Sequence, residues 1–390
     1  MAPASVLVAG GGIGGLTSAL ALARAGLDVT VVEQAGRFEE VGAGIQLTPN
    51  ASHVLTDLGL AERLTPHTVS PEALVVRRGS DGSELTRVAL GEAITGSHGA
   101  PWWVIHRADL QSALLDAIAA EPKITIEAGA ALRDLTVTPA GVTATLGPAG
   151  QPRDLTGIGL IGADGLWSAT RRALGDASSP SGRARAAWRA TLPVDQMPRA
   201  LSAGESGLWM GADAHLVHYP IRGGQRVNVV AVINQRASGE GFSAPGDPAV
   251  IKARFRGWCG PARELIEAGE NWLTWPLVDR DVWFGPGRGP VTLLGDAAHP
   301  MMPFLAQGGA MAIEDAAVLA KACARFASSR DAQGFALACR TYETARRERV
   351  VRVQREARLN GWIYHLGGPI GIARDMVVKL GLSGSLLDRY

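Results

Sequence analysis

A chain of 390 residues that is 46% hydrophobic and 19% charged reads as globular, with room for one composite or two domains. Its net charge of +1 argues against nucleic acid or an anionic membrane as a partner. Three widely spaced cysteines, Cys259, Cys323 and Cys339, indicate neither a disulfide framework nor a metal site and fit a reducing cytoplasm.

The first elements carry the strongest pattern. Residues 6–9 are an apolar strand, and Gly10, Gly12 and Gly15 then make a G-x-G-x-x-G turn that includes Ile13 and Gly14. Helical spacing follows over 16–25 and stops at Gly26, and 29–32 is a second, parallel strand. Glycines in such a turn let the backbone reverse sharply, let a pyrophosphate approach the main chain, and let helix and strand pack closely. The helix N-terminus offers free N–H groups and a favourable dipole to the phosphates. Glu33 ends the second strand, where it can accept from both ribose hydroxyls of an adenosine, which argues against a 2′-phosphate. Dinucleotide binding is therefore expected. The uncharged run 6–23 is read as this unit rather than a signal peptide or membrane span, because no Lys or Arg precedes it and five glycines interrupt it.

A glycine-bearing loop follows Glu33, with Asn50 as the expected cap of a helix over 51–58. Residues 73–78 and 85–90 read as a hairpin about Ser80, Asp81 and Gly82, and 108–120 as a helix with Asp109 in its first turn. Strands are expected at 124–127, 131–138 and 142–146. A further apolar strand ends in Asp164-Gly165, before a helix that Ser168 can cap. Ligands bind at that edge of open α/β sheets, although an ordinary turn aspartate reads the same way.

From 186 to 234 the pattern becomes alternating strands, 187–192, 207–211, 215–221 and 226–233, which predicts an antiparallel sheet. The period of two puts His215, Val217 and Tyr219 on one face and His218 on the other. His215 and Tyr219, ~13 Å apart along the strand, can bracket a small aromatic ring or belong to an unremarked sheet face. A last apolar strand delivers Asp296, a loop with Pro300 and Pro303 follows, and Gly308-Gly309 opens a helix expected to reach at least 327. Residues 332–390 read as largely helical, with the arginine-rich run 346–358 as a solvated face. The uncharged stretch 359–373 falls short of the ~20 residues of a membrane span, so it is expected to serve as core or as a dimer contact.

In order and spacing, Gly10-x-Gly12-x-x-Gly15 with Glu33, His106-Arg107-x-Asp109-Leu110, Asp164-Gly165 and Gly295-Asp296 resemble the single-component FAD-dependent aromatic hydroxylases. Gly42-Ala-Gly-Ile-Gln46-Leu-Thr-Pro-Asn50 and Gly295-Asp-Ala-Ala-His-Pro300 resemble the branch of salicylate, 3-hydroxybenzoate and 6-hydroxynicotinate hydroxylases. The fold expected is α/β, with a Rossmann-like FAD-binding domain (1–71, 99–181 and 273–330) interleaved with an antiparallel substrate domain (72–98 and 182–272) and a C-terminal helical segment (331–390).

The resemblance implies FAD with its ribose on Glu33, next to Gln34, and its pyrophosphate at Gly12 to Gly15. Arg107 would meet the ribityl–phosphate region, Leu132 the adenine, and Asp296 a ribityl hydroxyl. Gly308, Gly309 and Ala310 would face the flavin N1 and C2 carbonyl, Asp164 and Gly165 would support the pyrophosphate, and Gln46 and Pro300 complete the expected contacts. The implied reaction takes electrons from transiently bound NADH or NADPH, traps O₂ as a flavin 4a-hydroperoxide and hydroxylates a phenolic or aromatic acid. His215, as base, and Tyr219 would face that substrate.

Two departures from the branch bear on the substrate. Gln46 stands where the 6-hydroxynicotinate enzymes carry His, and Pro303 where the 3-hydroxybenzoate enzymes carry Gln, which leaves a salicylate-like acid as the expectation. Arg189 or Arg222 could hold its carboxylate, or be surface charges. A heterocycle such as urate, and a flavin oxidase or reductase without oxygen insertion, are the rival readings. A cytoplasmic location, no metal and a homodimer are also expected.

Overall fold

The strand Val6–Ala9 lies at the centre of a five-stranded parallel sheet, with Gly159–Gly162 and Val291–Leu293 on one side and Val29–Glu33 and Ile124–Ala128 on the other. Its residues are buried throughout, as a strand covered on both faces requires. The computed structural model describes residues 5–38, 43–147, 151–235, 243–287, 289–326 and 330–381. The helix Ile13–Arg24 packs on this sheet and against the helix Gly308–Ala324. It starts earlier than the apolar spacing from Leu16 suggests, because Gly12 already serves as its extended N-cap. The helix at Gly308 ends at Ala324, short of the expected 327, which lies outside the described residues.

A second sheet of eight strands runs in the order Ala244–Pro245, Glu270–Asp279, Ser181–Pro193, Arg226–Asn234, Ala214–Ile221, Glu205–Gly211, Ala73–Arg78, Glu84–Ala89. It is antiparallel except where Glu205–Gly211 pairs with Ala73–Arg78, a parallel contact that makes it mixed. Glu270–Asp279 pairs along Ser181–Pro193, so the boundary expected at 272/273 falls inside a strand of this sheet. One face packs Trp188, Trp209 and Leu216 against Phe255, which follows the helix Pro248–Arg254, and Leu265 of the helix Gly260–Ala268. The opposite face looks towards the parallel sheet.

Two smaller sheets complete the strands. Leu132–Thr138, Gly141–Leu146 and Arg153–Gly157 form a meander whose third, polar strand the apolar pattern does not reveal. Gly44–Leu47 pairs with Trp103–His106. The next helix is Pro49–Asp57, with Thr48 instead of Asn50 at the N-cap position and no side-chain cap, because proline is favoured at the first helical position. Asn50 turns its side chain to Gln307 and Glu314 instead.

The C-terminal segment contains the helices Ala332–Ile363 and Gly368–Lys379. Its arginines are only in part a solvated face: Arg347, Arg352 and Arg355 are exposed, and the other three of the run 346–358 are paired. Arg346 is buried on Asp315 and Glu314, Arg349 donates to Glu314, and Arg358 donates to Asp279. Nor is 359–373 simply core, since Leu359, Trp362, Ile370 and Ile372 are exposed. No helix among the described residues is long and apolar enough to cross a membrane.

Candidate active site

A cavity of about 330 Å³ opens where the carboxyl ends of the parallel strands meet the large sheet. The glycines at its floor have different reasons to be glycine. A Cβ on Gly15 would lie 1.9 Å from the Gly10 carbonyl oxygen, and one on Gly10 would lie 2.4 Å from that of Ala163, so the turn closes only without them. A Cβ on Gly12 would meet nothing within 4 Å, so this glycine keeps the cavity clear instead of closing the turn. Ile13–Arg24 and Gly308–Ala324 both begin at the cavity, and neither has a side-chain cap. Their first N–H groups face a space suited to anions. Arg107 also lines it, and its guanidinium makes no hydrogen bond or ion pair among the described residues. Uncapped donors, an open cradle and an unpaired cation together fit the diphosphate of a dinucleotide.

Asp296 faces the cavity from the turn after Val291–Leu293. Its side chain reaches the open space but is ringed by protein, and that desolvation raises its pKa against the pull of His299 and Arg107. Behind this turn Asp315 accepts from the Gly295 amide at 3.1 Å, from Arg346 Nε at 2.6 Å, and bonds His299 Nε2 at 2.6 Å. Burial alone would raise the Asp315 pKa, but the neighbouring His299 and Arg346 bring it down to about 2. Gln307, ahead of the second helix, donates to Thr48 Oγ1 at 2.8 Å and so ties that helix start to the end of the strand carrying Gln46.

The facing wall is one side of the large sheet. His215, Val217 and Tyr219 line the cavity from Ala214–Ile221, Val230 and Val232 from Arg226–Asn234, and Arg189 from Ser181–Pro193. Register places Val217 opposite Val230 and Val230 opposite Arg189, so the two valines form a floor with Arg189 at its far edge. His218 points the other way and accepts from Trp209 Nε1 at 3.1 Å. The His215 ring is buried edge-on against Phe304 and Tyr364, and burial, His365 and Arg185 hold its pKa well below the usual histidine range. Burial raises the Tyr219 pKa, opposed by Arg189. Arg189 stacks over the Trp275 ring at 5.0 Å, and its buried Nε has no partner among the described residues. Arg222 is elsewhere, paired with Asp109 at 3.0 Å.

The family of FAD-binding domains matches residues 3–357 of the chain. A 3-hydroxybenzoate 6-hydroxylase of Polaromonas naphthalenivorans (strain CJ2) is 37% identical over 96% of this chain and 91% of its own length. The chain belongs to the single-component FAD-dependent aromatic hydroxylases. Among solved structures, a salicylate hydroxylase substrate complex is 26% identical, with a TM-score of 0.81 over 97% of this chain and 93% of that one. Klebsiella pneumoniae HpxO, complexed with FAD and uric acid, is 25% identical, with a TM-score of 0.82 over 99% and 96%. This hydroxylase binds FAD and takes NAD(P)H as co-substrate.

Within the hydroxylase, the cavity is lined by Gly12, Ile13, Gly14, Gln46, Arg107, Gly165, Asp296, Gly308 and Gly309, together with His215 and Tyr219. Gly10, Gly15 and Ala310 stand behind this surface. Glu33 accepts from the amides of Gly11 and Ala35, with Gln34 exposed beside it, and Leu132 is half-buried where the meander begins. Asp164 accepts from Ser168 Oγ and from the Thr170 amide and hydroxyl, so its carboxylate caps a helix. Pro300 is buried and its carbonyl accepts from Gln354. Sequence reasoning missed Asp315, Arg346 and Gln307. The pair Glu314-Asp315 in the otherwise apolar run 310–320 was the available signal, since a buried carboxylate demands a cation.

Proposed function

We propose that this hydroxylase acts on a small phenolic acid, salicylate-like in size, with His215 as the base and Arg189 as the partner of the carboxylate. The observation that carries the reading is one sheet face bearing the His215 imidazole, a floor of Val217 and Val230, and a half-buried guanidinium whose Nε has no partner among the described residues, all in the same cavity. FAD, when bound, supplies the activation of O₂ with electrons from NAD(P)H. The chain's part is to place the ring and manage its proton. His215 is uncharged at neutral pH and can accept the phenolic proton, which makes the ring electron-rich where oxygen is to be added. Tyr219, kept protonated by burial, donates and does not compete as a base. Arg189 is already stacked and desolvated, so an incoming carboxylate relieves an uncompensated charge. Pro303 presents an apolar edge to the cavity, which supports a salicylate-like acid.

The test is NADH and NADPH oxidation by the yellow protein with hydroxybenzoates, neutral phenols and urate, with peroxide and product quantified together. The reading expects coupled product from an aromatic acid and none from the matching neutral phenol. Coupled turnover of urate alone, or peroxide alone with every acid, overturns it.

A further inference from the structure

We infer that His365 and Asn234 set the tautomer of His215, keeping its proton on Nδ1 and leaving Nε2 bare towards the cavity. The inference rests on the reading of His215 as the base. His215 Nδ1 lies 2.7 Å from His365 Nε2, and His365 Nδ1 lies 3.2 Å from Asn234 Oδ1. Both rings are buried. Protons can fill such a line in only two directions, and its far end decides which.

Asn234 is held from both sides. Its Nδ2 donates to Asp213 Oδ1 at 2.8 Å, and its Oδ1 accepts from Arg185 Nε at 3.1 Å. Turned over, the amide would set its oxygen against a carboxylate and its NH₂ against a guanidinium, so the orientation is fixed by charge. Oδ1 therefore faces His365, and only an N–H can meet it. With that proton on Nδ1, a neutral His365 offers Nε2 as an acceptor, and His215 must donate from Nδ1. A neutral His215 has no second proton, so its Nε2 is a lone pair. His215 lines the cavity, and this nitrogen has no partner among the described residues.

The surroundings keep both rings uncharged. Burial and the cations Arg185, Arg254 and Arg374 hold the His365 pKa at about 3. Phe304 and Tyr364 close over His215, and the Asp213 carboxylate reaches the line through Asn234. A carboxylate is the usual group behind a catalytic histidine, and it stabilises the imidazolium. In this pocket it would hold the base in its protonated form and repel an anionic substrate. A neutral second histidine sets the tautomer without either effect. The C-terminal segment thus supplies a positioning residue, anchored where the His365 carbonyl accepts from the Asp213 amide at 3.1 Å.

The direct experiment is long-range ¹H–¹⁵N spectroscopy of the FAD-loaded enzyme labelled in its histidine rings, with His365→Leu and His215→Ala used for assignment. Both rings are expected to carry their proton on Nδ1; a His215 signal with the proton on Nε2 overturns the inference. In turnover with salicylate, His365→Leu should lower kcat by about 10-fold or more, with KM and FAD retention unchanged. His365→Gln, which returns an acceptor to His215 Nδ1, should restore kcat to within about 3-fold. An equal loss in both variants, or a change in KM instead of kcat, would reduce His365 to packing. Failure of the base reading looks different: the tautomer is as inferred, but His215→Ala keeps its hydroxylation rate and pH profile.

Discussion

On one side of the cavity the contacts come from backbone: two uncapped helix starts, at Ile13 and Gly308, and the clear space at Gly12. On the other they come from side chains standing on a sheet, His215, Tyr219 and Arg189. A backbone site needs particular glycines and tolerates little else, so it suits the cofactor that every member shares. A side-chain wall can change residue by residue without disturbing the strands beneath, so it suits a substrate that differs between members. If the division is real, cofactor affinity and substrate choice are separable by mutation.

The largest effect is expected at Gly15. Gly15→Ala drives a methyl into the Gly10 carbonyl and should abolish the yellow holoenzyme, whereas Gly12→Ala should leave the apoprotein's Tm within about 1 °C and weaken FAD by ~10-fold or more. Flavin fluorescence titration of both proteins decides the matter; equal affinities would show that the two glycines do the same job. Next is the support behind the cofactor side. Arg346→Met leaves Asp315 as an unpaired buried charge and should cost about 3–5 kcal/mol in urea unfolding. A loss below ~1 kcal/mol would mean that the pair behaves as if exposed.

On the sheet side, Arg189→Met should raise KM for an aromatic acid by ~30-fold or more, on the order of 2 kcal/mol, while leaving FAD affinity unchanged. A similar rise for a neutral phenol would take the carboxylate away from Arg189 and make it a packing residue.

The same division explains what the sequence made legible. Gly10, Gly12, Gly15 and the Gly308-Gly309 helix start were readable because backbone recognition restricts residue type at fixed spacing. His215 and Tyr219 could be put on one face because a strand has a period of two. The partner across strands could not: Arg189 and Arg222 are equivalent in sequence, and only register brings Arg189 to the cavity while Arg222 meets Asp109. Asn50 looked like a cap, yet bonds a helix far along the chain, and the arginines at 346–358 looked solvated although three of them meet carboxylates. Long-range pairing of polar groups leaves no local pattern.

The smallest predicted effect per residue separates the two sides by pH. His218 and His365 are held at about 3, the first by burial and Arg77, the second by burial and its neighbouring arginines. His215 lies well below its usual range. Because these folded-state pKa values are depressed, the unfolded chain binds more protons below ~6.5, and stability present above that pH falls as pH drops towards 3. Asp315, at about 2, contributes in the same direction, but only below its unfolded value of ~3.8. Acid should therefore weaken the sheet side, by about 1 kcal/mol for each of these three histidines at pH 5.5, before Asp315 begins to contribute. Thermal unfolding at pH 7.5 and 5.5 measures this, and His218→Gln should remove about one third of the difference. An unchanged Tm between the two pH values would mean that these imidazoles take up protons in the folded protein as readily as in the unfolded chain.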